Sequence, residues 1–219
     1  IFRGRTATAG YEVTVTDGTA AGTGLLLDTY PGPGSGYFYC PVVFRGKVYY
    51  RARNKSGYNL YVTDGTPAGT RKLKGGLNGF YDPVGLGGRI LFEGYAASSG
   101  NRCLWQCDGT QAGTRPLSTA TNYFNYPARC GDKVFFQGRT PSGVSDLWAT
   151  DGTAAGTKSV FDPNPSYSSN YCYDIVATGS RRVFFEMRDY KPAAGTDYEA
   201  YLYDSGTKKG SILHDFQGP

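Results

Sequence analysis

Apolar residues in this chain come in clipped runs between Gly-, Asn- and Asp-containing turns, and one run is written four times. Val48-Tyr49-Tyr50, Ile90-Leu91-Phe92, Val134-Phe135-Phe136 and Val183-Phe184-Phe185 are versions of one element. Consecutive side chains on a β-strand point to opposite faces. Apolar neighbours therefore predict a strand buried on both sides, whereas a sheet with one wet face alternates apolar with polar. Sheets stacked between two neighbours meet this requirement. Around that strand one unit reads in full. Residues 40–44 form a first strand, Arg45-Gly46 a turn, residues 47–52 the second strand, residues 54–57 a loop, residues 58–63 a third strand and residues 71–74 a fourth. The third strand recurs as Leu60-Tyr61, Leu104-Trp105, Leu147-Trp148 and Leu202-Tyr203, and Trp105 and Trp148 are read there as packing residues. No stretch shows helical periodicity.

Between the third and fourth strands stands Thr63-Asp64-Gly65-Thr66-Pro67-Ala68-Gly69-Thr70. The same pattern recurs around Asp17, Asp108 and Asp151, and in a worn form around Asp204. An Asp side chain accepts from backbone two residues on, Gly takes positive φ, and Thr hydroxyls satisfy loop amides. All five are read as structural hairpin turns. Each copy has one carboxylate and lacks the D-x-[DN]-x-[DN]-G pattern, which argues for a turn over a calcium loop. The motif Asp residues are 47, 44, 43 and 53 apart. A period in the forties with four strands per unit predicts an all-β fold, a β-propeller of four-stranded antiparallel blades. Five copies predict five blades in a single domain, with units near residues 1–36, 37–79, 80–122, 123–170 and 171–219.

Ile1-Phe2-Arg3-Gly4 aligns with Leu91-Phe92-Glu93-Gly94, inside a second strand. From Asp204 through the chain ends to Asp17 there are only 32 residues. The closing blade is therefore expected to be assembled from or near both termini, or to have three strands, with the termini side by side.

Residues 60–70 and 147–157 resemble the LW-x-[ST]-D-G-T-x-x-G-T repeats of bacterial proteins that are often secreted or at the cell surface. Tyr30-Pro31-Gly32 and the strand beginning Gly46-Lys47-Val48 agree with that pattern, and the resemblance covers nearly the whole chain. It implies a propeller and a secreted or surface location, and it carries no single chemistry. The turn is similar in role to the Asp-box of sialidases, at a different spacing. No sialidase arginine triad maps onto the chain, so no activity is transferred.

Composition narrows the partners. With 32 Gly, 12 Pro, 19 Tyr and 12 Phe the chain favours turns and strands, and 39% apolar residues suffice when each unit buries its faces on neighbours. The net charge is +5, but the basic residues are scattered, with small clusters at Arg71/Lys72/Lys74, Arg181/Arg182 and Lys208/Lys209. Solvated strand faces account for these, and no nucleic-acid partner is expected. No apolar run approaches the roughly 20 residues of a membrane span. With one histidine, His214, and no C-x-x-C pair, no metal or other cofactor is expected. Cys103 and Cys107 are about 13 Å apart on an extended strand, too far to bond each other. Beyond that, the pairing of Cys40, Cys103, Cys107, Cys130 and Cys172 stays open, and their odd number leaves at least one without a partner in the chain.

In a propeller, the loops into the first strands and the loops between second and third strands share one face. The first set supplies Tyr37, Phe38, Tyr39, Phe80, Tyr81, Tyr123, Phe124, Tyr126, Tyr171 and Tyr173, and the second Arg53, Arg102, Arg139 and Arg188. Aromatic rings beside polar groups suit the faces and hydroxyls of sugars. The same rings also read as plugs in the core between sheets. Residues 189–198 read as the longest loop between strands. Catalytic signatures are sparse: no G-x-S-x-G occurs, and Asp82 and Asp174 share the repeat position opening the first strand as a possible acid pair. The leading expectation is a lectin-like propeller binding glycans at several shallow sites that gain strength by avidity. The alternatives are an adhesion domain with a surface-protein partner and a glycan-active enzyme.

Overall fold

The computed structural model describes the backbone of every residue except 7, 97–99, 163–170, 192–194 and 217–219, and side chains are described outside these and outside 189–197. The strands form five antiparallel sheets in chain order. The first has three: β1 (Phe2–Arg5), β2 (Tyr11–Val15) and β3 (Gly24–Leu27). The second holds β4 (Tyr39–Phe44), β5 (Lys47–Asn54), β6 (Gly57–Thr63) and β7 (Arg71–Lys74). The third holds β8 (Tyr81–Leu86), β9 (Arg89–Tyr95), β10 (Arg102–Cys107) and β11 (Arg115–Ser118). The fourth holds β12 (Asn125–Cys130), β13 (Lys133–Arg139), β14 (Ser145–Thr150) and β15 (Lys158–Phe161). The fifth holds β16 (Tyr171–Thr178), β17 (Arg182–Lys191), β18 (Gly195–Asp204) and β19 (Lys209–Asp215). Each strand pairs only with its neighbours in the chain. By its contacts the chain forms two compact units, residues 1–83 with 107–114, and residues 84–106 with 115–219.

The doubled apolar positions pack to both sides. Phe135 joins a core with Cys172, Val183 and Phe185 of the fifth sheet, while its neighbour Phe136 joins Leu91, Leu104 and Phe124. Each such ring removed from water stabilises the fold by roughly 1.5–3 kcal/mol. In the first unit Tyr50 and Tyr61 pack with Val13 and Leu26. The pattern breaks at the two end sheets. Phe184, the counterpart of Phe135, is exposed together with Val176, its direct partner on β16. Phe2 and Leu25 are exposed on the first sheet.

The repeated octapeptide is a closed hydrogen-bond circuit. The Thr66 amide and hydroxyl donate to Asp64 Oδ1 at 2.9 and 2.7 Å. The Gly69 amide donates to Thr66 Oγ1 at 3.0 Å, and the Thr70 hydroxyl donates to the Thr66 carbonyl at 2.5 Å. Thr63 Oγ1 accepts from the Gly65 amide at 2.9 Å and lies 2.6 Å from Thr70 Oγ1. The one proton on Thr70 is committed to the Thr66 carbonyl, so Thr63 donates to Thr70. The copies at Asp17 and Asp151 repeat this circuit. In the third copy Cys107 replaces the first Thr, its Sγ 3.2 Å from the Thr114 hydroxyl. Gly65 sits at φ +96°, and a Cβ on Gly69 would collide with the Asp64 carboxylate. Both glycines are thus demanded by the turn. Donation by the Thr66 hydroxyl and then its amide holds the Asp64 carboxyl below its ordinary range.

Two readings of the sequence need correction. Opposite Tyr50, Phe136 and Phe185 stand Tyr61, Trp148 and Tyr201, so the fifth counterpart of Tyr61 is Tyr201 and not Tyr203. The worn copy keeps its distance to Asp204 while its Leu-Tyr pair has moved two residues. Residues 189–198, read as a loop, are mostly ladder. β17 and β18 stay paired out to Lys191 and Gly195, leaving residues 192–194, outside the described residues, as the connection.

Candidate functional site

A recurrent backbone device shapes the first strand of each four-stranded sheet. Cys40, Asp82, Tyr126 and Asp174 have φ of +50°, +49°, +53° and +48°. The ladder shifts register just after Tyr39, Asn125 and Tyr173, so these are bulges. A left-handed conformation costs a residue with a Cβ roughly 1–2 kcal/mol, and bulges re-aim side chains. Pro41, Pro83 and Pro127 follow three of the four positions. Proline lacks the amide a central strand needs, and β4, β8 and β12 are edge strands where it is tolerated. Asp82 and Asp174, matched in the sequence, share this conformation.

In the first unit the aromatic residues collect around arginines. Tyr37, itself at φ +62°, stacks on Tyr39 with ring centroids 5.6 Å apart. The Arg51 guanidinium lies over the rings of Tyr81, Tyr58 and Tyr39 at 4.4, 4.5 and 5.3 Å. Arg51 is only 8% exposed, and one of its terminal nitrogens donates to the Asn78 carbonyl at 3.3 Å. Arg53 sits over Tyr30 at 5.6 Å. Tyr39 and Tyr81 are thus committed to a buried cation. Burial pushes the Cys40 thiol up, against the pull of Arg51 and with the help of Asp82.

Two open clefts of the second unit are lined by aromatic residues beside arginines. One, of about 360 Å³, is lined by Tyr126, Tyr173, Asp174, Glu186, Arg188 and Tyr198. Tyr126 meets Tyr173 edge-on at 5.8 Å, and Tyr171 stacks behind Tyr173 at 6.2 Å. Arg188 lies 5.9 Å over Tyr198. The other, of about 500 Å³, is lined by Tyr95, Tyr123, Arg102 and Arg139 with polar loop residues that include Asn101, Asn122 and Ser142. Arg102 pairs with the buried Glu93 at 3.1 Å.

The structure thus brings Tyr126, Tyr173 and Arg188 together at one cleft, with Tyr171 behind, and places Arg139 at the other. Tyr37, Tyr39, Tyr81 and Arg53 belong to the first unit. Phe124 is corrected: it is fully buried, packed on Phe136 at 4.7 Å, with its amide donating to Glu93 at 3.1 Å. A ring with no exposed surface cannot stack on a ligand. Sequence reasoning missed Tyr198, Glu186 and Arg51. The signal for Arg51 was its repeat position, filled elsewhere by Glu93, Gln137 and Glu186. The three-residue acidic, His or Cys groupings that could hold a metal ion do not occur among the described residues. Cys40, Cys103, Cys107 and Cys130 carry thiols.

Comparison with protein-family models and with curated proteins gave no match. Among solved structures the chain is similar to TolB from Acinetobacter baumannii, at 15% identity and a TM-score of 0.56, over 98% of this chain and 51% of that one. It is also similar to a structure from work on two prolyl endopeptidases, at 12% identity and a TM-score of 0.58, over 93% of this chain and 30% of that one. The chain therefore spans about half of the first and under a third of the second. These likenesses define the fold: an all-β, β-propeller-like protein built from antiparallel sheets.

Proposed function

We propose that this chain is a glycan-binding, lectin-like module of secreted or surface location, using shallow sites on its second unit. The observation that carries the reading is the 360 Å³ cleft, where three tyrosines stand beside Asp174, Glu186 and Arg188. Tyr126 and Tyr198 are exposed there. Exposed rings offer apolar faces to sugar C–H groups, and the charged residues offer donors and acceptors to hydroxyls. Isothermal titration against a panel of neutral oligosaccharides tests it. Binding near millimolar is expected, with Tyr126→Ala weakening it about two- to twelvefold, the value of one ring contact of about 0.5–1.5 kcal/mol. Absence of heat from every sugar at millimolar concentration sinks the reading. Two carboxylates in the same cleft are also the minimum equipment for glycoside hydrolysis. Reducing ends accumulating in the titration mixtures would decide for an enzyme.

The same proposal includes closure of the five sheets into a five-bladed ring, its closing blade formed near both termini. Two open faces support it. Phe2 holds the repeat position of Phe136, which faces the preceding sheet, and Phe184 holds that of Phe135, which faces the following one. The first and fifth sheets thus expose faces of opposite sense, as surfaces that meet on closure do. Spin labels at positions 3 and 209 should report one narrow distance in dilute solution, near the ~10 Å sheet spacing plus the label arms. A broad or long distance would remove the closed ring.

A further inference from the structure

We propose that the cleft between Arg102 and Arg139 is an anion-selective subsite for acidic saccharides, those bearing a carboxylate or sulfate on the ring. The inference rests on the glycan reading above and adds to it a ligand class and a second site.

The argument begins with Tyr123. Arg102 and Arg139 both bring their guanidinium carbons to this ring, 5.4 and 5.7 Å from its centroid. A ring already holding two guanidinium groups is a poor platform for a neutral sugar, so the cleft differs in kind from the Tyr126 cleft. Two like charges gathered on one ring repel each other, and an anion lodged between them relieves that repulsion. Glu93 offsets only one. It lies behind Arg102 at 3.1 Å and is almost wholly buried, while the Arg102 side chain stays 42% exposed. Among the described residues no carboxylate pairs with Arg139. Every other described residue lining the cleft is uncharged, so among the described residues the site has a surplus of one positive charge.

Arg139 is also held in place before any ligand arrives. Its Nε donates to the Gly143 carbonyl at 2.9 Å. Its amide donates to Thr121 Oγ1 at 3.0 Å, and its carbonyl accepts from the Asn122 amide at 2.7 Å. The hairpin that supplies Gly143 is itself closed, the Thr140 amide donating to the Val144 carbonyl at 2.8 Å and the Thr140 hydroxyl accepting from the Val144 amide at 3.0 Å. With Nε engaged, the terminal nitrogens form the fork left to meet an oxyanion, the geometry in which guanidinium recognises carboxylate and sulfate. Preorganisation of this kind spares a ligand the cost of ordering the side chain. At about 500 Å³ the open cleft takes more than a bare ion, and Asn122 and Ser142 on its wall suit ring hydroxyls.

The test is titration of the whole chain with uronate oligosaccharides, with sulfated oligosaccharides and with neutral oligosaccharides, for the wild type, Arg139→Gln and Arg139→Lys. Thermal melts report whether the variants fold. Acidic sugars are expected to bind, with affinity falling about tenfold or more in Arg139→Gln and less in Arg139→Lys. Raising salt from about 0.1 M to about 1 M, which cuts the screening length from about 10 Å to about 3 Å, should weaken acidic sugars and spare neutral ones. Preference between the first two panels says which anion the site takes. Equal binding of acidic and neutral sugars, unchanged in Arg139→Gln, overturns the subsite and leaves the glycan reading standing. Silence from all three panels ends both. Binding of a single-stranded oligonucleotide as tightly as the acidic sugars, and equally dependent on Arg139, overturns the saccharide assignment.

Discussion

Glu12→Ala is expected to lower stability by about 3–5 kcal/mol, the largest loss from any single side chain outside the aromatic cores. Glu12 lies on β2 and is fully buried. Its carboxylate accepts from the Thr29 amide and hydroxyl, both at 2.8 Å, and from the Gly36 amide at 2.5 Å. One side chain thereby fastens both ends of the stretch joining the first sheet to the second. Truncation leaves three buried donors without an acceptor, at about 1–3 kcal/mol each, offset in part by relief of the carboxylate's own desolvation. Nothing nearby can move in to replace it, because Gly36 approaches so closely that even a Cβ would meet the Thr29 hydroxyl and the Glu12 carboxylate. The damage spreads along the chain. Gly10, Tyr11 and Tyr37 are all tied across this stretch, and the Arg53 amide donates to the Gly36 carbonyl at 2.6 Å. Urea unfolding followed by circular dichroism measures the loss. Glu12→Gln keeps one acceptor and should fall between wild type and Ala. A Glu12→Ala protein within about 1 kcal/mol of wild type would show that water replaces the carboxylate.

The Glu12 position shows what the sequence could and could not disclose. The residue five before each motif Asp is Glu12, Asn59, Cys103, Asp146 or Glu199. As letters these run from acid to amide to thiol, yet all are buried. Two of them do the same work: Glu12 accepts from the amide of Thr29 and Asn59 from that of Gly76, seventeen residues on in each case. A role carried by a backbone bond tolerates any acceptor of suitable length, so no motif marks it. The Asp-Gly-Thr turn was legible for the opposite reason. Its circuit uses particular side chains and two glycines, so the copies at Asp17, Asp64 and Asp151 keep all its letters, the copy at Asp108 changes only Thr to Cys107, and the worn copy at Asp204 alone lacks the glycine directly after its Asp. The doubled apolar residues of the second strands were legible because burial on both faces leaves no room for a polar one. The left-handed residues Cys40, Asp82, Tyr126 and Asp174 were not, since nothing in a Cys or a Tyr announces positive φ. Of the aromatic set, Tyr126 and Tyr173 line one cleft with Tyr171 behind, whereas Phe124 is buried, because a Phe at a strand entrance reads the same whether it faces solvent or the next sheet.

Asp146→Asn is expected to stabilise the protein at neutral pH and to do nothing in acid. Asp146 stands on β14, only 4% exposed. Its Oδ2 accepts from the Ser159 hydroxyl at 3.1 Å, and its Oδ1 has no hydrogen-bond partner. Burial first, and the Asp162 carboxylate second, push its carboxyl up from 3.8 to about 6, with the Ser159 hydroxyl pulling the other way. The raised value fixes the sign. The folded protein holds this proton more tightly than the unfolded chain does, so stability falls as pH rises through the window between about 4 and 6 and stays low above it. A shift of about two units corresponds to roughly 3 kcal/mol of penalty at pH 7. Asn keeps an acceptor for Ser159 and stays neutral, so it removes that penalty without opening a cavity. A gain of about 2–3 kcal/mol should appear as a melting point higher by several degrees at pH 7.5, shrinking to nothing near pH 3.5. Asp162→Asn removes only the lesser cause and should give a smaller gain with the same pH dependence. A gain independent of pH would place the origin in packing, and a loss at pH 7.5 would mean that the Asp146 charge is held by a contact stronger than its burial.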